Sequence, residues 1–338
     1  MRILKQRINA LNVGINGEPM EPTVISLFAG CGGSSLGYKV AGYHELFAID
    51  WYDVAIKTFK LNFPEVPIRK MDITKLTGDE LLQMANIGKG KLDVLDGSPP
   101  CQGFSTNGRR EVVDERNDLV PHFIRLVGEL EPKAFIMENV PGMAMGNMKG
   151  LFRKYILDMK KLNYHVKCKI LNAMYYGIPQ SRKRLIFIGL RRDLFTPNGT
   201  DFFPNGSMQL KTVKDAIGDL EDTDVPEIGH RIPPLRGGKG KIQWEKTRHG
   251  ESIYGFVINK LHPNKPSPTI LNSSEKMHYK VCRQLSQREY ARLQSFPDDF
   301  KFINDGHEVI GNSVPPKLME AIARHIGKLM GWFDAATK

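Results

Sequence analysis

An α/β fold, in which a parallel sheet is wound with helices and joined to a second, irregular domain, is predicted by three features of this 338-residue chain. From about residue 23, short apolar runs alternate with longer amphipathic stretches, the pattern of strands separated by helices. After Arg192 that alternation gives way to segments biased in charge and rich in glycine and proline. Helical patterning then resumes near residue 283 and returns in a last stretch from Pro315 to about Met330.

The elements follow in order. "TVISLF" (23–28), "HELFAI" (44–49), "PIRKMDI" (67–73), "LDVLDG" (92–97) and "AFIMEN" (134–139) read as buried strands. "HVKCKILNA" and "RLIFIGLR", linked by "MYYGIPQSRK", predict a hairpin-like addition at the edge of the sheet. Residues 215–227 hold six acids and no Lys or Arg, whereas residues 230–250 hold six Lys and Arg against one acid, with Trp244 among them. In "RQLSQREYARLQSF" (283–296), Ser286 followed three residues later by Glu289 is a capping box that opens a helix. A last helix is expected from Pro315 to about Met330, with Leu318, Ile322 and Ile326 along one face. The chain thus divides into an N-terminal extension (1–22), a domain of alternating apolar runs and amphipathic stretches (23–192), an irregular domain (193–282) and a closing segment (283–338). No internal repeat or low-complexity segment interrupts it.

With 41% hydrophobic residues the chain has ample material for a core, and it contains neither a membrane-length apolar run nor the apolar centre of a secretion signal near its N-terminus. Cys31, Cys101, Cys168 and Cys282 are widely spaced and form no Cys-x-x-Cys pair, which suggests neither a zinc site nor a disulfide framework. A reducing, cytoplasmic setting and no metal are expected. The balance of 48 Lys and Arg over 37 Asp and Glu, a net charge of +11, favours encounter with a polyanion without naming it.

In an open parallel sheet, ligands bind beyond the carboxyl ends of the strands, so the residues following each run carry the chemistry. The first run is followed by "FAGCGGSSLG", a glycine-rich turn in which Ser35 occupies the third-glycine place of a dinucleotide fingerprint; such turns also serve strand-to-helix geometry alone. Asp50 stands 20 residues beyond Gly30, the usual distance for a carboxylate that accepts ribose hydroxyls, and Trp51 beside it can lie against an adenine. Asp72 and Ile73 offer an acceptor for an adenine amino group and an apolar wall; each acid can equally be a solvated cap. After the fourth run, Cys101 in "DGSPPCQGFS" is either a buried small hydrophobe or a thiol presented by a stiff loop. After the fifth, Glu138 is a partly desolvated carboxyl suited to proton donation, or one held by backbone amides. Arg182 and Arg184 share a face if their segment is extended, to bind phosphate, to orient a carboxylate, or merely to be exposed. Taken together, a nucleoside-type site, a thiol and a carboxylic acid fit nucleophilic catalysis beside a nucleoside cofactor.

These residues, in this order, closely resemble the DNA cytosine-5 methyltransferases, a bacterial and phage family that uses S-adenosylmethionine. The resemblance runs through "SLFAGCGGSSLG", "AIDW", "MDI", "GSPPCQGFS", "ENVPGM", "GIPQSRKRLIFIGLR", "RQLSQREYARLQSFPDDF" and "GNSVPPKL", leaving out the first 22 residues. It implies a Rossmann-like methyltransferase fold with a smaller target-recognition domain, completed by the last helix. It also implies that Cys101 attacks C6 of a flipped-out cytosine, that Glu138 protonates N3, and that Arg182 and Arg184 position Glu138 and the nucleotide. Phe28, Gly30, Gly32, Asp50, Trp51, Asp72, Ile73, Pro100, Asn312 and Ser313 fall on its cofactor positions. Gln102, Ser105, Arg109 and Arg110 of the loop after Cys101 would meet double-stranded DNA, as would Arg231, Arg236, Lys239, Lys241, Lys246 and Arg248 of the variable region. A monomer is expected, and a cognate restriction endonuclease would be a functional partner rather than a stable one. Three other readings are a transfer-RNA cytosine methyltransferase of the same fold, a catalytically silent DNA-binding relative and a nicotinamide oxidoreductase. The last leaves the thiol, the glutamate and the variable region without a role.

Overall fold

A computed structural model of the protein describes residues 21–100, 119–220, 225, 241–242, 258–272, 276–281, 283–303 and 306–333. The chain forms two compact units, one comprising residues up to Leu171 with Lys183–Asn205 and Leu318–Lys338, the other Asn172–Arg182 with Gly206–Lys317.

The first unit is built on a seven-stranded sheet. In chain order its elements are β1 (Thr23–Leu27), α1 (Gly33–Ala41), β2 (His44–Asp50), α2 (Asp53–Asn62), β3 (Ile68–Lys70), α3 (Gly78–Met84), β4 (Val94–Gly97), α4 (Val120–Leu130), β5 (Ala134–Asn139), α5 (Lys149–Lys161) and β6 (Tyr164–Asn172). A two-residue strand β7 (Gln180–Ser181), which belongs to the second unit, then precedes β8 (Lys183–Arg191) of the first. The sheet order is β3-β2-β1-β4-β5-β8-β6. β1 to β5 pair in parallel, whereas β8 runs antiparallel to β5, so the edge addition expected from the sequence is present. β4 and β5 are buried at every residue, as strands covered on both faces must be. Ile25, Leu27, Phe47, Leu95, Phe135 and Phe187 from adjoining strands pack into one core with Phe123 and Leu126 of α4. The run "PIRKMDI" yields only a three-residue strand. Asp72 ends it by accepting from the Thr74 N–H (3.0 Å) and hydroxyl (2.7 Å), a side-chain turn that replaces ladder pairing.

The last helix, α9 (Pro316–Met330), buries Leu318, Ile322 and Ile326 completely, as its periodicity predicts. Its return to the first unit is fixed by Tyr43, whose hydroxyl donates to the Ala323 carbonyl (2.9 Å) and whose ring meets Phe333 edge-on.

The second unit contains α6 (Val213–Ile217), the short strands β9 (Lys241–Ile242), β10 (Ile258–Lys260), β11 (Ser267–Pro268) and β12 (Lys276–Met277), then α7 (Gln287–Leu293) and α8 (His307–Asn312). β12, β10 and β9 form one small sheet, and β11 pairs in parallel with β7. The Ser286–Glu289 capping box is formed, and the buried Glu289 also receives both forks of Arg283 (2.7 and 3.0 Å). Helix α8 was not foreseen from sequence, being six residues long and opened by Gly306 rather than by a side-chain cap.

Candidate active site

Strand order reverses between β1 and β4, and the crevice beyond their carboxyl ends is the expected ligand site of such a sheet. Phe28, just past β1, has φ +58°, a left-handed conformation uncommon for an aromatic residue. It turns the chain so that the Ala29 N–H reaches the Ile49 carbonyl (3.0 Å) and the Gly30 N–H reaches Asp50 Oδ2 (2.7 Å). Asp50 Oδ1 accepts from the Tyr52 N–H (2.8 Å). One carboxylate thereby holds the turns after β1 and β2 together and keeps further lone pairs for a ligand. Gly30 (φ +58°) faces open space, with nothing within 4 Å of where a Cβ would stand. Gly32 (φ +96°) caps α1, and a Cβ there would meet the Phe63 ring at 2.3 Å. The two glycines therefore do different jobs, one at an open cradle and one in helix packing.

Trp51 exposes 65% of its surface beside this cradle, with the Lys70 ammonium 5.3 Å from its ring centroid. The hydrogen bonds from Thr74 lower the Asp72 carboxyl from its ordinary value. Ile73 is buried in the core, and its carbonyl, like that of Leu76, accepts from Arg125 of α4 (3.1 and 2.7 Å). Ser98 donates to the Phe28 carbonyl (3.3 Å), and buried Asn139 donates to the Pro99 carbonyl (3.1 Å). The segment that leads into residue 101 is thus anchored from two sides, while Pro100 is exposed.

At the end of β5, Glu138 Oε1 lies 2.6 Å from Arg184 Nε, and both side chains are nearly nine-tenths buried. The strand breaks at Arg182, between β7 and β8, so the two arginines do not present the common face expected of an extended segment. Arg182, one of the largest fully buried side chains, donates to the carbonyls of Ile270 (2.7 Å), Gly311 (2.8 Å) and Ser313 (3.2 Å). Asn312 is exposed and Ser313 buried, both in the second unit.

Sequence reading passed over a buried acid cluster beneath the cradle. The Tyr38 hydroxyl donates to Asp96 Oδ1 (3.2 Å) and the Ser35 hydroxyl to Glu45 Oε1 (3.0 Å). Burial pushes Glu45 up to about 7 and Asp96 up to about 8. Asp96 in "LDVLDG" was legible as a charged residue inside a strand, the usual sign of a satisfied buried group.

Cys101, Gln102, Ser105, Arg109, Arg110, Arg231, Arg236, Lys239, Lys246 and Arg248 lie outside the described residues. Lys241 is described through its backbone alone, paired with Asn259. Among the described residues no group of three or more His, Cys, Asp or Glu is placed to hold a metal ion, and no helix is long and apolar enough to cross a membrane.

The model of the C-5 cytosine-specific DNA methylase family matches residues 22–328. The type II methyltransferase M1.HphI of Haemophilus parahaemolyticus is 36% identical, over 92% of this chain and 88% of its own. M.XorII of Xanthomonas oryzae pv. oryzae is 34% identical, over 91% and 85%. Among solved structures, a protein encoded within an E. coli prophage and assigned as a DNA modification methyltransferase aligns with a TM-score of 0.72 at 29% identity, covering 92% of this chain and all of that one. Spodoptera frugiperda DNMT2, at 20% identity and a TM-score of 0.66 over 90% and 99% of the two chains, shares the fold. The sheet order, the crevice at its reversal and the family match agree, and the chain belongs to the C-5 cytosine-specific DNA methylases, enzymes of the S-adenosylmethionine-dependent methyltransferase fold that methylate cytosine in DNA.

Proposed function

We propose that this DNA cytosine-5 methyltransferase modifies cytosines within one short recognition sequence of double-stranded DNA through a covalent adduct between Cys101 and C6 of a flipped-out base. The observation that carries the reading is the buried Glu138–Arg184 pair at the end of β5, next to the strand whose following loop leads to Cys101.

The crevice suits S-adenosylmethionine: Gly30 leaves open space, Trp51 offers an exposed ring, and Asp50 retains acceptor capacity. In this reading Asp50 takes the ribose hydroxyls and Trp51 and Asp72 the adenine, with Phe28, Gly32, Ile73 and Pro100 around them; Asn312 and Ser313 are assigned to the cofactor on the family's sequence pattern alone. When bound there, the cofactor supplies a methyl group as an electrophilic carbon on a sulfonium.

C6 of a stacked cytosine is out of reach of a side chain, so the base must leave the duplex. The Cys101 thiolate then forms a C–S bond at C6 while the Glu138 carboxyl gives its proton to N3, and the electron pair of the 5,6 bond becomes available at C5. Arg184 fixes the Glu138 carboxyl in place for that transfer. Once C5 carried the methyl group that the bound cofactor would supply, the cofactor being left as the thioether S-adenosylhomocysteine, a base would take the C5 proton. The C–S bond then breaks, N3 returns its proton to Glu138, and 5-methylcytosine leaves with the thiolate restored. The basic stretch around residues 231–248, with Gln102, Ser105, Arg109 and Arg110, is assigned to DNA, which makes binding salt-dependent.

Base-resolution bisulfite sequencing of DNA from a methylation-free bacterium expressing the protein, beside Cys101→Ser, tests this. Cytosines protected in one short motif, and unprotected with the mutant, are expected. Protection that survives Cys101→Ser overturns the covalent mechanism, and methylation of RNA in place of DNA overturns the substrate.

A further inference from the structure

The buried arginine of the "QSRKR" segment is directed at the chain around Asn312 and Ser313. Arg182 reaches the Gly311 and Ser313 carbonyls, at the C-terminal end of α8, where helix carbonyls lack intrahelical donors and the helix field favours a cation. The same guanidinium takes the Ile270 carbonyl on a separate stretch of chain. Gly311 permits this convergence, because a Cβ there would stand 2.6 Å from the Asn272 nitrogen and from the Leu271 carbonyl carbon. A second set of bonds runs in parallel. Gln180 accepts from the Ile270 N–H (2.9 Å) and donates to Gln294 Oε1, and Gln294 Nε2 donates to the Ser313 carbonyl (2.7 Å). The Ser313 hydroxyl in turn donates to the Ile310 carbonyl (2.8 Å). Gln180, Arg182 and Gln294 are all at most 1% exposed, so these bonds lie out of water, where an unmet donor or acceptor is costly.

We propose that Arg182 is a positioning residue for the cofactor: together with Gln180 and Gln294 it fixes the Gly311–Ser313 turn in the shape that S-adenosylmethionine meets, and Arg184 alone of the pair serves Glu138. This rests on the reading of Asn312 and Ser313 as cofactor contacts. A planar guanidinium spans three carbonyls, and a lysine ammonium at the same position does not reproduce that fork. Loosening the turn weakens cofactor binding while the reacting groups at Glu138 stay in place.

The test is steady-state kinetics on purified full-length Arg182→Lys and Gln294→Met, with S-adenosylmethionine varied at saturating DNA and thermal melting recorded on each. Both are expected to raise KM for S-adenosylmethionine about tenfold or more while kcat changes less than threefold. Titration of S-adenosylhomocysteine should show the same loss of affinity without turnover. Gln294→Met keeps the test available if Arg182→Lys does not fold. A folded variant whose kcat collapses with KM unchanged overturns the proposal and assigns Arg182 to the reacting nucleotide instead. Asn312→Ala separates the two levels of the reading. If it leaves KM unchanged, the turn is no cofactor contact and the underlying assignment fails. If it raises KM while Arg182→Lys and Gln294→Met do not, only the positioning role fails.

Discussion

Arg184 Nε stands 2.6 Å from Glu138 Oε1, across two antiparallel strands, with both side chains withdrawn from water. The register makes this pair: Glu138 faces Ile186 on β8, and Arg184 lies two residues away along the same face. Arg184→Ala leaves a buried carboxylate without its guanidinium. A fall in kcat of roughly 100-fold is expected, as for removal of one charge-orienting donor, with a loss of stability of about 3 kcal/mol. Arg184→Lys should lie between, since it restores the charge without the fork. Single-turnover methylation and denaturant melts measure both. A kcat within threefold of wild type in Arg184→Ala would remove this arginine from the reaction.

Much of the fold was legible because buried parallel strands write themselves as continuous apolar runs, and "AFIMEN" and "LDVLDG" became β5 and β4 with few changes at their ends. The capping box at Ser286 and the apolar face of the last helix were legible for the same reason, being local patterns. The destination of Arg182 was not. Its partners Ile270, Gly311 and Ser313 lie 88 to 131 residues away, and they offer carbonyls, which every residue has, so nothing in the side-chain sequence marks them. The different tasks of Gly30 and Gly32 were hidden likewise, since only the position of Phe63 separates them.

That separation gives a paired prediction. Gly32→Ala must push aside the Phe63 ring or distort the start of α1, so a loss of about 2–4 kcal/mol is expected, seen as a lowered melting temperature without cofactor. Gly30→Ala meets no neighbour, and its cost is the strain of positive φ, about 1 kcal/mol. Its methyl group stands in the open cradle, so cofactor affinity should fall at least tenfold. Equal stability losses in the two variants would contradict the distinction.

Trp51 lets binding be read apart from folding. With 65% of its surface exposed and a solvent-facing lysine as its ring contact, Trp51→Ala should change stability by no more than about 0.5 kcal/mol. If the ring stacks on the adenine, its loss costs roughly 1–3 kcal/mol of binding, tenfold or more in the Kd for S-adenosylhomocysteine, and Trp51→Phe restores most of it. Calorimetric titration of the three proteins decides the point, and unchanged affinity in Trp51→Ala would take the adenine elsewhere.

The acid cluster under the cradle makes stability depend on pH in a direction opposite to that of ordinary carboxylates. Burial raises Asp96 from 3.8 to about 8 and Glu45 from 4.5 to about 7, so the folded protein holds two protons that the unfolded chain gives up. Their contribution is complete below about pH 4 and is lost as pH rises through the folded values, each group costing about 1.4 kcal/mol per pH unit within its window. Between pH 5.5 and 8.5 the wild type should therefore lose stability on this account, and Asp96→Asn, which cannot ionise and keeps an acceptor for Tyr38, should lose less. Glu45→Gln should flatten the lower part of the same range while keeping its bond from Ser35. Melting temperatures of the three proteins across this range, in buffers of equal ionic strength, are the measurement. Parallel curves for all three would mean that neither carboxyl is held protonated in the folded enzyme.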